Sequence, residues 1–185
     1  MIFFHNPDEE NGYLSNWYLS KFTINGIVYS SMEQYMMHQK ALWFKDDGMA
    51  DRIMQTSDVQ KIKAYGRFVS SYDENQWNGI RQIIVYRGLY AKFSQDPRLK
   101  GWLLATGKAI LAECAVTDRI WGIGLSMSDP DRWMMHQWLG QNLLGYALMM
   151  VRERLVTEGM NERKNTNASF IRHSSICESL IRRGS

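Results

Sequence analysis

A carboxylate and an ammonium share the apolar face of one helix-forming stretch. In YSSMEQYMMHQKALWF (residues 29–44), helical winding puts Glu33, Met36, Met37, Lys40 and Phe44 on one side. Burying either charge is costly unless it is paired or lines a polar cavity. Glu33 and Lys40 lie about 10 Å apart along such a helix, too far for a close pair, so each needs another partner or a cleft. Lining a pocket, desolvation would raise the Glu33 pKa and lower that of Lys40, giving an acid/base group and an amine nucleophile. Two plainer roles compete: Ser30 as N-cap with Glu33 three residues on forms a capping box, and Lys40 can extend along Phe44 to solvent. Capping and catalysis are compatible at Glu33.

Three further sets carry functional groups. The loop TDRIWGIG joins Asp118 to the flat surface of Trp121 and to Gly122 and Gly124, where backbone can approach a ligand closely. Asn142, Gly145, Met149 and Arg152 share one face of the last strong helix, and Gly145 leaves room for a neighbour. Arg152 is a phosphate candidate, although helix-end arginines are commonly solvated. Arg67, Arg81 and Arg87 with Trp77 form a basic and aromatic set that could hold phosphates and stack a base, provided they converge. The 12 methionines, several in adjacent pairs, are read as core filling.

The elements that must position these groups follow from local signals. Asn25-Gly26 between Phe22-Thr23-Ile24 and Ile27-Val28-Tyr29 specifies a two-residue hairpin, and FFHNP reads as a short strand ended by Asn6-Pro7. Helices are expected over 56–65, 76–93, from Pro97 to Gly107, and over 141–157 with a stop at Gly159. KAILAECAV (108–116) is taken as a strand between loop signals. The order gives one α+β domain over 1–158, mostly α-helical with a small antiparallel sheet, and a polar, flexible tail over 159–185.

Composition narrows the function classes. The 185 residues are 45% hydrophobic, enough for one core. Cys114 and Cys177 are too few for a disulfide framework, and no His/Cys spacing suggests a metal site, so no metal or cofactor is expected. No apolar run approaches the ~20 residues of a membrane span, and a cytoplasmic setting is expected. Lys/Arg and Asp/Glu balance at 17 each over 1–158, so the net charge of +3 belongs to the tail and no broad DNA-binding footprint is visible. P-loop, dinucleotide, GxSxG and HExxH motifs are absent.

In chain order, GYLSNWYLSKFTINGIVYSSMEQYMMHQK, AYGR, QW…R, AKFSQDPRLKGWLLATG, DRIWGIG and GQNLLGYALMMVRERL form a pattern. On these blocks, residues 3–155 resemble the YbiA-like, NADAR family of N-glycosidases. The resemblance implies a YbiA-like fold and cleavage of the bond between ribose C1 and an amino group of a base. The implied substrates are small nucleotides: phosphoribosylamino-pyrimidine intermediates of riboflavin synthesis, or ADP-ribosylated guanine, ADP-ribosylated DNA included. It places catalytic roles on Lys40, Glu33 and Asp118, and substrate contacts on Trp17, Tyr35, Arg67, Trp77, Trp121, Gly122, Asn142 and Arg152, in a monomer. Two positions depart from the family pattern. Gln34 stands where His is common; its side chain points about 100° from Glu33, so a packing change is expected. Asn78 replaces a frequent acidic residue. A non-catalytic module that senses ADP-ribose through the same pocket is the alternative reading.

Overall fold

The computed structural model describes the backbone of residues 1–181 and the side chains of residues 1–163. Two compact units partition the chain, Met1–Arg152 and the segment from Glu153 onward. The elements, in order, are β1 (Ile2–Phe4), β2 (Leu19–Ile24), β3 (Ile27–Ser31), α1 (Met32–Trp43), α2 (Asp47–Met54), α3 (Val59–Arg67), α4 (Glu74–Gln95), α5 (Pro97–Ala105), β4 (Leu111–Glu113) and α6 (Leu143–Ile181).

The hairpin forms as its turn chemistry requires. Asn25 and Gly26 both take positive φ, at 52° and 80°, and β2 pairs antiparallel with β3 in the register Ile24↔Ile27, Thr23↔Val28 and Phe22↔Tyr29. A second ribbon pairs the chain's two most distant strands in parallel, β1 with β4, Phe3 opposite Ala112 and Phe4 opposite Glu113. The expected strand at 108–116 thus shrinks to three residues, and its partner is not the hairpin.

Acidic caps start most of the helices. Asp46, Asp58, Asp73 and Asp96 each accept from backbone N–H groups one turn on, satisfying donors that the first turn leaves open. The first of these starts α2, a helix not expected from periodicity. At α6 the expected stop at Gly159 does not hold: the helix continues to Ile181. A helical glycine costs about 1 kcal/mol relative to alanine and does not by itself end a helix. Of the expected flexible tail, residues 182–185 lie outside the described residues.

In the first unit α1 is the central helix, packed against α2, α3, α4 and β3. Tyr29, Met32, Tyr35, Ile53, Ile62, Val85, Leu89 and Phe93 are all fully buried around it. Close approach at two glycines sets the spacing. A Cβ on Gly66 would overlap the Met37 side chain, so α3 lies tight on α1; a Cβ on Gly88 would run into the Tyr35 ring and the Met32 methyl, which fixes α4. A smaller cluster of Phe3, Ala112, Cys114, Ile123 and Leu125 seals the parallel ribbon. Among the described residues no helix is long and apolar enough to cross a membrane.

Candidate active site

Tight packing of α3 on α1 opens a cleft at the end of the hairpin. About 600 Å³ of empty space, open to solvent on one side, is lined there by Glu33, Met36, Met37 and Lys40 of α1, Lys63, Gly66 and Arg67 of α3, Asn16 and Trp17 of the loop before β2, Glu113 at the end of β4, and Asp118 and Trp121. Five separate segments thus deliver three carboxylates and three cations to one cleft.

Glu33 does not cap its helix. The N-cap is Ser31, whose hydroxyl accepts from the Gln34 N–H, and the Gln34 side-chain oxygen accepts in return from the Ser30 N–H at 2.7 Å. The capping-box pattern is therefore met by Ser31 and Gln34. Gln34 also donates to the Ile53 and Thr56 carbonyls, tying the end of α2 to the start of α1, which is the packing role expected of this position. Relieved of capping, Glu33 turns into the cleft with only 4% of its surface exposed.

Burial pushes the Glu33 carboxyl up to about 7; Asp118 adds to the rise, while Lys63, a hydrogen bond from Trp17 and Arg67 oppose it. Glu113 is displaced further, to about 8, by burial first and then by Asp118 and Glu33, against Lys63. The charges that act on Glu33 are those of Lys63, Asp118 and Arg67, so its counter-ion is on α3 and not on its own helix. At neutral pH one carboxyl of this pair holds a proton where the other can accept one. Asp118 has a second duty: one of its oxygens accepts from the Ile120 and Trp121 N–H groups at 3.0 and 2.9 Å, which shapes the loop and leaves the other oxygen for the cleft.

Two acceptors in the cleft walls, Asn16 Oδ1 and Glu113 Oε2, are buried without a hydrogen-bond partner. Orphaned acceptors of this kind call for donors from a ligand.

Lys40 lines the far end. Its ammonium donates to the Gly66 carbonyl at 2.7 Å and lies 4.0 Å from the centre of the Tyr72 ring, and burial lowers its pKa. Solvent is not its only outlet, and it belongs to the cleft as the helical projection required. Lys63 stands over Trp17 at 5.3 Å. Arg67 is exposed on the rim.

Several expected site residues lie elsewhere. Tyr35 is packed edge-on against Tyr29 and Phe22 in the core. Trp77 is buried on the first turn of α4 and does not line the cleft. Arg152 is 3% exposed and donates to Thr106 Oγ1 and the Ala109 carbonyl, so its charge is spent on the α5–β4 connection and not on a phosphate. Asn142, fully buried at φ 53°, bonds the Leu111 carbonyl and the Glu113 N–H through its side-chain amide. It holds the strand that presents Glu113. Gly122 is buried beneath the loop, where a Cβ would come within 2.8 Å of the Glu113 carbonyl oxygen. Of the arginine set, Arg67 lines the cleft and Arg81 reaches its neighbourhood, 5.9 Å from the Trp121 ring centre, whereas Arg87 is exposed beside Trp43 and Ile83.

Sequence reading missed Asn16, Lys63 and Glu113. For Glu113 a signal existed, since a lone carboxylate in the apolar run AILAECAV has to be paired, protonated or functional. Asn16 and Lys63 sit in segments whose polarity looks ordinary without the fold. Among the described residues no group of three or more His, Cys, Asp or Glu is placed to hold a metal ion.

A helical α+β domain that gathers three carboxyl groups around a cation-rimmed cleft has the build of a hydrolase. Comparison with known proteins gives the family. The model of the NADAR domain matches residues 2–156, and the chain belongs to that family. It is 38% identical to N-glycosidase R617 of Acanthamoeba polyphaga mimivirus over 160 residues, 82% of this chain and 94% of the relative. It is 32% identical to riboflavin biosynthesis protein VVA0006 of Vibrio vulnificus over 154 residues, 83% of this chain and 38% of that longer protein. The NMR structure of the Escherichia coli protein YbiA superposes with a TM-score of 0.72 at 29% identity, covering 86% of each chain.

Proposed function

We propose that the chain is an N-glycosidase that hydrolyses the bond between ribose C1 and an amino nitrogen of a base, on ADP-ribosylated guanine or on a phosphoribosylamino-pyrimidine. The observation that carries this is the Glu33–Glu113 pair, two buried carboxyls with pKa values raised to about 7 and about 8 in one cleft. One protonated and one ionised carboxyl are what the reaction needs. The acid gives its proton to the departing amino nitrogen as the C1–N bond breaks and its electron pair moves to nitrogen. Positive charge then develops at C1, facing the ionised carboxylate and Asp118. The carboxylate takes a proton from water as the water oxygen bonds to C1, leaving ribose with a C1 hydroxyl and the free amine. General acid–base action of this sort supplies about 10²–10⁴ in rate.

The rest of the cleft fits the same substrate. Asn16 Oδ1 and Glu113 Oε2 accept from the ribose hydroxyls, Trp121 and Trp17 offer flat surfaces for the base, and Lys63 and Arg67 face phosphate. Arg81, 7% exposed with an Nε that lacks an acceptor, extends this cationic edge behind Trp121.

A second route is favoured by Lys40, an amine in the cleft whose pKa burial lowers. Its neutral nitrogen attacks C1 as the amine, protonated by the carboxyl acid, leaves; the C1–O4′ bond then breaks with the lysine proton passing to O4′, and water hydrolyses the resulting iminium, freeing Lys40 and the sugar. Chromatography of reactions with both substrate types tests the activity, and borohydride separates the routes. Mass increase at Lys40 after reduction selects the iminium route; full turnover by Lys40→Met selects acid–base catalysis alone. Tight calorimetric binding of ADP-ribose with no cleavage of either substrate selects a sensor and overturns the proposal.

A further inference from the structure

One ammonium in the fold is buried far more deeply than either cation of the cleft mouth, and the chemistry above does not use it. Lys92 is 1% exposed and donates to the Tyr13 carbonyl at 2.7 Å and the Ser15 carbonyl at 3.1 Å. Aromatic faces complete its surroundings, with the Tyr18 and Phe93 rings centred 5.4 and 5.1 Å away. Burial lowers its pKa, to about 7, and no acidic group among the described residues opposes the shift. A buried cation without a carboxylate is expensive, so a hydrocarbon side chain would serve the core better unless the two carbonyls had to be held.

Those carbonyls belong to the loop that builds one wall of the cleft. Tyr13 and Ser15 flank Leu14 at the end of a 3-10 turn (Gly12–Leu14), and the next residues are Asn16 and Trp17. The Trp17 N–H donates to the Ser15 hydroxyl at 3.2 Å, and the Asn16 carbonyl accepts from the Glu33 N–H at 2.9 Å. From Lys92, two hydrogen bonds and one peptide step therefore reach the backbone of Glu33. The same face of α4 also grips α1 directly, because Gly88, one turn before Lys92, seats the Met32 methyl and the Tyr35 ring.

We propose that Lys92 is a positioning residue of the cleft, an ammonium clamp on the Tyr13 and Ser15 carbonyls that sets Asn16 and Trp17 against Glu33. One helix thereby fixes the separation of the two walls between which the acid sits. The inference rests on the N-glycosidase reading for its kinetic consequence, but not for its structural one.

The test compares wild type with Lys92→Met, Lys92→Gln and Lys92→Arg. Glutamate carboxyl carbons labelled with ¹³C report the Glu33 titration midpoint by NMR, assigned through Glu33→Gln. With the clamp removed, Trp17 and Asn16 move off, water reaches Glu33, and its midpoint falls from about 7 toward the ordinary glutamate value in the Met and Gln variants. Turnover number falls roughly 10- to 100-fold with them, as displacement of a catalytic group by about an ångström produces, and KM rises as well because Asn16 and Trp17 also hold the substrate. Lys92→Arg, which keeps charged donors, restores most of both. A folded Met or Gln variant with a wild-type Glu33 midpoint overturns the proposal, as does failure of both to fold, since Lys92 would then serve global stability. If the wild type cleaves neither substrate, the function proposed above fails and the NMR midpoints alone decide the role of Lys92.

Discussion

Ser31 and Gln34 close the first turn of α1 on each other, and by doing so they leave Glu33 unoccupied. Gln34 takes the N-cap's hydroxyl with its backbone N–H and holds the preceding Ser30 N–H with its side chain. A glutamate at the adjacent position could have performed the second task. Here it faces the cleft, and the two roles that one residue could have combined are divided between neighbours.

This division separates the effects of two substitutions. Ser31→Ala removes the cap and costs about 1 kcal/mol in denaturant unfolding, as N-cap losses usually do. Glu33→Gln costs no helix stability, yet lowers turnover number at least about 100-fold, the scale of a lost general acid or base. Paired urea titrations and steady-state kinetics check both.

Glu113 and Glu33 give stability a definite dependence on pH. Between the unfolded glutamate value of about 4.5 and the folded value of about 8, the folded chain keeps a proton at Glu113 that the unfolded chain releases. Its contribution is complete below about pH 4.5 and is lost as pH rises through about 8. Glu113→Gln cannot ionise, so its stability relative to wild type climbs from pH 5 to pH 8.5. Thermal midpoints of the two proteins across that range, at fixed ionic strength, measure the divergence.

Catalysis follows the same pair with a different shape. Turnover needs one carboxyl protonated and one ionised, so the pH–rate profile is a narrow bell whose limbs fall near 7 and 8. Glu33→Gln and Glu113→Gln each abolish one limb. Rates in overlapping buffers from pH 5 to 9.5 record this.

Two arginines divide between recognition and folding. Arg67→Ala leaves unfolding nearly unchanged and raises KM for a phosphorylated substrate several-fold, with the difference shrinking as salt is added. Arg152→Met does the reverse. It leaves Thr106 Oγ1 and the Ala109 carbonyl without their donor, which lowers stability by about 1–3 kcal/mol and changes KM less than twofold.

What the sequence disclosed was local. The Asn25-Gly26 hairpin was readable because two positive φ angles in succession admit few other residues, and the face carrying Glu33, Met36, Met37 and Lys40 was readable because helical period is a property of one segment. Asp118 and Trp121 were legible from composition within a single loop. The rest depended on pairings between remote parts of the chain. Parallel pairing of β1 with β4 brings residues 4 and 113 together across the whole domain, and no periodicity in either three-residue strand announces it. For that reason Glu113 went unrecognised, and Arg152 and Asn142 looked like ligand contacts, whereas Arg152 bonds Thr106 Oγ1 and the Ala109 carbonyl and Asn142 bonds the backbone of Leu111 and Glu113.

Asn142 has a consequence for the strand it touches. In a parallel ladder, one residue of a neighbouring strand accepts from the N–H of residue i+1 and donates to the C=O of residue i−1. The Asn142 carboxamide makes that pair of bonds to Glu113 and Leu111, so β4 has a strand on one side and, on the other, a side-chain mimic of a peptide beside the Ile123 N–H, which donates to the Glu113 carbonyl. A three-residue strand that would otherwise be an open edge is closed on both flanks, out of reach of pairing with other chains. Asn142→Asp keeps the acceptor for the Glu113 N–H but loses the donor to the Leu111 carbonyl, and would reopen that edge two residues before Glu113.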